Sequence, residues 1–165
     1  MKCQVIIRCN AGEMICLRRP IHLPAQIGGV DDLALTLEPD RMCRDVLNLY
    51  QGRLPICIAM TGPTDYIGWT DLFCAGPGPE NSDDRLLTVS ASCRLLTCMT
   101  GAGCMSNTLV AAFASVADPS CYAGYAAKAA LDYMVQSARN AESNSHGMGT
   151  FRMHLMDALS RSVYA

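Results

Sequence analysis

The sequence predicts an α/β fold, a layered sheet flanked by helices, on three observations. Two apolar runs, Val5-Ile6-Ile7 and Leu54 to Met60, have the character of strands buried on both faces. Segments of helical periodicity alternate with them, and a glycine-rich turn, Thr100 to Cys104, opens into an apolar helical stretch. A length of 165 residues, 50% hydrophobic and 17% charged, suits one compact domain or a piece of a larger one.

The elements follow in order. Val5 to Arg8 reads as the first strand and runs straight into a helix start, where Asn10 can cap and Glu13 stands three residues on. Ala11 to Leu17 is helix-compatible, and Pro20 prevents continuation much further. Residues 20–37, with Pro24, Gly28, Gly29 and Asp31-Asp32, read as a connecting loop. Pro39 suits a first helical turn, and Met42, Val46, Leu49 and Tyr50 form an apolar stripe that ends before Gly52, as in a surface helix packed on a sheet. The run to Met60 delivers a Thr61-Gly62-Pro63 turn at the end of the sheet where open α/β folds bind ligands.

Asp65 to Trp69 reads as a short return strand, Gly76 to Pro79 as a loop, and Leu86 to Ser90 as a further strand. Met105 to Ala117 is apolar on nearly all sides, so a buried helix is expected, stopped by Asp118-Pro119. An Ala-rich helix is expected from Tyr122 to Ala141, and a last helix carries Phe151, Leu155, Leu159 and Val163 at every fourth position. The first strand begins a few residues after Met1 and few long strands are visible, so the sheet is expected to be N-terminally incomplete, with an open hydrogen-bonding edge.

Composition narrows the function classes. Thirteen Lys+Arg against fifteen Asp+Glu leave a net charge of -2, and the basic residues are scattered, which disfavours nucleic-acid binding. No apolar run approaches the roughly 18 residues of a membrane helix, and the start lacks a signal-peptide core, so no membrane association is expected and the cytoplasm is the default compartment. Ten cysteines fall at uneven spacings with no C-x-x-C, and three histidines show no zinc spacing, so reduced, mostly buried thiols are expected. A cysteine- and methionine-rich metal or redox protein fits the composition but has no ligand spacing. Walker-A, G-x-S-x-G and G-x-G-x-x-G patterns are absent.

Three turns are candidates for chemistry: Arg8 to Glu13, Thr61-Gly62, and Thr100 to Cys104. In the last, two glycines let backbone N–H groups turn inward at a helix N-terminus, where unpaired donors and the macrodipole attract phosphate. The same field favours a thiolate at Cys104, as a base or nucleophile. On these residues alone the more ordinary reading of the turn is a close-packing device with an inert Cys104 in the core. Asn10 and Glu13 lie one helical turn apart and can hold a hydrated Mg2+ while Arg8 grips phosphate, or they simply cap the helix.

The ordered motifs resemble those of hydroxyethylthiazole kinase, a thiamine-pathway family of the ribokinase-like superfamily. Val5-Ile6-Ile7-Arg8-Cys9-Asn10-Ala11-Gly12-Glu13 is similar to the family's V-I-R-G-N-x-S-E, Gly29-Val30-Asp31 to its K-G-V-D-S, and Thr61-Gly62-Pro63-Thr64-Asp65-Tyr66 to its T-G-x-x-D-Y. Thr100-Gly101-Ala102-Gly103-Cys104-Met105 with Leu109 to Phe113 is similar to T-G-[TS]-G-C-M and L-V-A-A-F, and Gly149-Thr150-Phe151-Arg152 with Leu155 to Leu159 to the C-terminal G-T-F-R and L-x-D-A-L.

The resemblance implies a ribokinase-like layered sheet flanked by helices, with residues 1–165 as a single partial kinase domain, the ATP-side, C-terminal portion. It implies Mg-ATP-dependent phosphorylation of 4-methyl-5-(2-hydroxyethyl)thiazole by a cytoplasmic homotrimer, with ATP as co-substrate and Mg2+ as cofactor. Arg8 and Thr61 would contact ATP, Asn10 and Glu13 would organise Mg2+, and Gly101 would border the thiazole alcohol. The backbone of Gly101, Ala102, Gly103 and Cys104 would form the anion hole, and Cys104 would accept the hydroxyl proton. The chain departs from the family in lacking the first strand-helix layers, in Cys9 and Gly12, which replace a Gly and a Ser, and in a longer segment from Trp69 to Arg85. Cys9 is expected to intrude where backbone approaches phosphate. A catalytically inactive, truncated remnant of such a kinase is the alternative.

Overall fold

In the computed structural model, residues 5–18, 38–70, 85–90, 93–117 and 123–161 are described. Four strands and six helices occur among them: β1 (Val5–Asn10), α1 (Ala11–Arg18), α2 (Pro39–Tyr50), β2 (Ile56–Thr61), β3 (Thr64–Trp69), β4 (Leu86–Ser90), α3 (Arg94–Cys98), α4 (Ala102–Val116), α5 (Ala123–Ser143) and α6 (Met148–Arg161). The sheet runs β1-β2-β3-β4. β1 pairs parallel with β2, Arg8 facing Ala59 and Asn10 facing Thr61, while β2-β3 and β3-β4 are antiparallel. The expected layered α/β sheet is thus present, mixed in direction because the short return strand at Thr64 reverses the chain.

Alternation along the strands builds two cores. Cys9, Ile56, Ile58 and Met60 pack on Met14 and Ile15 of α1 and on Met42, Cys43, Val46 and Leu47 of α2. From the opposite face, Cys57, Ala59, Ile67, Trp69 and Val89 meet Val110 of α4 and Ala127, Leu131 and Val135 of α5. A third cluster joins Met134 and Ala138 of α5 to Phe151 and Leu155 of α6, beside Met99. Thr70 stitches the far end of the sheet, its hydroxyl donating to the Leu54 carbonyl at 2.7 Å and accepting from the Ile56 N–H at 3.1 Å.

Several expectations need correction. In α2 the buried set is Met42, Cys43, Val46 and Leu47, so the face is turned from the expected stripe and Leu49 is exposed. The helix expected to be buried, α4, buries only Ser106 and Val110, and Val116 at its end is 83% exposed. Helix α3 was not anticipated; it has no local side-chain cap, and its Leu95 N–H is instead satisfied by Glu142 Oε1 of α5 at 3.1 Å. The loops at 20–37 and 76–79, the Gly29-Val30-Asp31 motif and Val163 lie outside the described residues. Seven cysteines among the described residues are free thiols, as expected. No helix among the described residues is long and apolar enough to cross a membrane.

Candidate phosphate site

The parallel strands β1 and β2 end side by side, and the N-terminus of α4 is brought against them by the burial of Val110 on the same sheet face. Between these ends lies a cavity of about 390 Å³. Arg8, Thr61, Asp65, Ala102, Gly103 and Ser106 line its polar side, with apolar wall from α5. This is the sheet end where the sequence placed the ligand.

Arg8 lies on the face of β1 that looks toward α4. Its Nη2 donates to Thr61 Oγ1 at 3.3 Å, and that hydroxyl in turn donates to the Cys9 carbonyl at 3.3 Å. The Arg8 Nε is buried with no hydrogen-bond partner. Its guanidinium lies so close to α4 that a β-carbon on Gly103 would stand 3.2 Å from Nη1. A cation held against the positive end of a helix, with a buried donor unused, is an arrangement that an anion in the adjoining cavity completes.

The turn that opens α4 depends on Gly101, whose φ of 93° is left-handed backbone. A β-carbon there would meet nothing within 4 Å, so the requirement is conformational rather than one of space. The Met105 N–H makes the first helical bond to the Gly101 carbonyl at 3.0 Å, and the Ala102 N–H is donated to Met99 at 3.3 Å. The N–H groups of Gly103 and Cys104 have no acceptor among the described residues. Of the four amides expected to form an anion hole, Ala102 is thus already engaged, and those of Gly101, Gly103 and Cys104 have no acceptor among the described residues.

Asn10 and Glu13 form a reciprocal cap on α1: the Glu13 N–H donates to Asn10 Oδ1 and the Asn10 N–H to Glu13 Oε2, each at 2.8 Å. The capping interpretation of this pair is therefore realised, with Glu13 exposed and its other carboxylate oxygen without a partner among the described residues. Among the described residues no group of three or more His, Cys, Asp or Glu is poised for a metal ion.

Not every candidate reaches the cavity. Gly101 and Cys104 are exposed, and neither they nor Asn10 and Glu13 line it. Cys9 does not intrude on phosphate: its side chain is 3% exposed in the core beneath β1, among Met14, Met42 and Cys43. Burial pushes its thiol up to about 12, with Glu13 adding to the rise. Cys43 is raised to the same level, again first by burial.

Asp65 was missed as a site residue. It lines the cavity while only 5% exposed, and its Oδ1 accepts the Gly62 N–H at 3.0 Å. Burial pushes its carboxyl up to about 6, against the pull of the Gly62 N–H and the Arg8 charge. Its place in the T-G-x-x-D-Y stretch was the available signal.

Residues 2–163 match the family model of the hydroxyethylthiazole kinase family. The hydroxyethylthiazole kinase of Moorella thermoacetica is 33% identical over 154 residues, which cover 93% of this chain and 49% of that protein. That of Desulfitobacterium hafniense is 31% identical over 157 residues, covering 94% of this chain and 50% of the relative. The solved structure of a hydroxyethylthiazole kinase protein from Pyrococcus horikoshii OT3 shares the fold with a TM-score of 0.64 at 22% identity, over 94% of this chain and 48% of that one. The chain spans about half the length of the curated relatives it matches. With the family model matching residues 2–163, the chain belongs to the hydroxyethylthiazole kinase family.

Proposed function

We propose that the chain is the ATP-side portion of a hydroxyethylthiazole kinase, which phosphorylates the hydroxyl of 4-methyl-5-(2-hydroxyethyl)thiazole for thiamine biosynthesis or salvage. One observation carries this reading: the Arg8 guanidinium, its Nε buried and unpartnered, is held against Gly103 at the positive end of α4. A half-buried cation beside the positive end of a helix favours an anion in the cavity they both border.

In this reading Arg8 and Thr61 grip the ATP phosphates, and the open amides of Gly103 and Cys104 receive the oxygens of the transferred phosphoryl group. Gly101 borders the alcohol and Cys104 accepts its proton. Phosphoryl transfer is chiefly positioning and charge stabilisation, so a base of modest strength beside fixed donors suffices. Mg2+, when bound, would neutralise phosphate charge, and Glu13 would hold it through its unused oxygen with Asn10 alongside. That sparse donor set fits an ion that keeps most of its water. The same reading includes a homotrimer, for which Val116, Met153 and Met156 offer exposed apolar surface.

Thermal unfolding with Mg-ATP tests the site. A nucleotide at 100 times its dissociation constant adds about 2.7 kcal/mol of stability. Stabilisation in the native chain and none in Arg8→Met supports the reading; no stabilisation of the native chain by Mg-ATP or tripolyphosphate overturns it. A second reading, a phosphate-binding remnant without turnover, is favoured by the exposure of Gly101 and Cys104 outside the cavity. Thiazole-dependent ATP consumption that falls in Cys104→Ala, in the chain alone or beside a relative's complementary half, excludes the remnant. Stabilisation by Mg-ATP without such turnover selects it.

A further inference from the structure

We propose that Asp65 is a positioning residue of the phosphate site: its carboxylate fixes the Thr61-Gly62 turn and steadies the Arg8 guanidinium over α4, and it takes up a proton when a bound anion becomes the counter-charge of Arg8. This rests on the reading that the cavity receives phosphate.

The geometry links the parts in sequence. Asp65, at the start of β3, accepts the Gly62 N–H at 3.0 Å; the preceding residue, Thr61, accepts from Arg8 at 3.3 Å; Arg8 lies against Gly103. A change at Asp65 is therefore felt by the hydroxyl that directs the guanidinium. Asp65 and Arg8 line the same cavity from neighbouring parts of the sheet, yet among the described residues their side chains hydrogen-bond to Gly62 and Thr61 respectively and not to each other. Arg8 is thus the counter-charge of Asp65 through its field, without a direct ion pair, and Asp65 consumes none of its donors.

Among the described residues, Arg8 on β1 is the charged group that faces Asp65. The helices around the cavity add neutral side chains, among them Ser106 of α4 and Leu131 and Met134 of α5. An arriving phosphate engages the Arg8 donors and brings negative charge into the same cavity. Asp65, already raised to about 6 by burial, then loses its compensating cation and gains a like-charged neighbour. A proton from solvent settles on one carboxyl oxygen, while the other keeps the Gly62 N–H. No other bond forms or breaks.

Calorimetric titration of inorganic tripolyphosphate into the whole chain, at pH 7 in two buffers of different ionisation enthalpy, counts the protons taken up. Asp65→Asn keeps an acceptor for the Gly62 N–H and removes the ionisation, so it reports the protonation of the tripolyphosphate itself. The native chain is expected to take up about half a proton more than Asp65→Asn, and its affinity to fall several-fold more between pH 6 and pH 8. Equal uptake in the two overturns the proposal and leaves the phosphate site standing. No binding by the native chain at any pH removes both. Should Asp65→Asn not fold, carboxyl NMR of the native chain decides: the Asp65 midpoint rises by more than about one pH unit on saturation, and an unmoved midpoint overturns the proposal.

Discussion

The guanidinium of Arg8 occupies the space where Gly103 lacks a side chain, with Nη1 only 3.2 Å from the position a β-carbon would take. Gly103→Ala separates site from scaffold. Alanine in a helix is worth about 0.5–1 kcal/mol over glycine, so unfolding by urea is expected to show equal or greater stability. The Arg8 tip must yield by a few tenths of an ångström, and tripolyphosphate affinity is expected to fall several-fold. A variant that is more stable and binds as well as the native chain removes the close approach from the site.

Gly101 poses the opposite problem, open space with left-handed backbone at φ 93°. Gly101→Ala is expected to cost about 1–2 kcal/mol in urea unfolding, because the β-carbon is strained against its own backbone. Gly149→Ala in α6 serves as the control, since a β-carbon there also meets nothing within 4 Å but no positive φ is involved. That variant is expected to be neutral or slightly stabilising. Equal losses in the two would exclude the conformational explanation.

The pH dependence of stability follows from Asp65. Its carboxyl is raised to about 6 in the folded chain, chiefly by burial, and sits near 3.9 when unfolded. The native state therefore binds the proton more readily, and stability from this group falls as pH rises from about 4 to about 6. The loss is on the order of 2–3 kcal/mol, and it remains at neutral pH. Urea unfolding of native and Asp65→Asn chains between pH 4 and pH 7 is expected to show that slope in the native chain alone. A parallel pair of curves would mean that Asp65 does not carry it.

What the sequence makes legible depends on how local the physics is. The Val5 to Arg8 strand, the Asn10 and Glu13 cap and the Thr61-Gly62 turn are specified by neighbouring residues, and each forms where expected. Helix α3 has five residues, and its N-terminus relies on Glu142 of α5, a partner that no local pattern announces. The apolar composition of α4 signalled burial, but composition states only that a face seeks cover, and Val116 finds none among the described residues. Asp65 looked like the polar start of a strand because its burial and its coupling to Arg8 exist only once β1 and β3 flank β2. The turn that opens α4 was legible as two glycines before an apolar helix; that Cys104 would lie outside the cavity was not, since the cavity is made by residues from distant parts of the chain.

Gly124 ties α5 to the sheet through Trp69. A β-carbon at Gly124 would fall 2.2 Å from Trp69 Cε3, an overlap with the ring itself. Trp69 is buried at the end of β3 in the core shared with Ala127 and Leu131, so the indole has no free volume into which to retreat. Either α5 shifts away from the sheet or the ring leaves its rotamer, and overpacking of this kind costs about 1–3 kcal/mol or more. Gly124→Ala is expected to lose at least about 2 kcal/mol in urea unfolding, despite the better helix propensity of alanine. The same substitution with Trp69→Leu is expected to lose less than the sum of the two single changes, because the smaller side chain removes the overlap. Strict additivity in that cycle would mean that Gly124 and Trp69 do not share the contact.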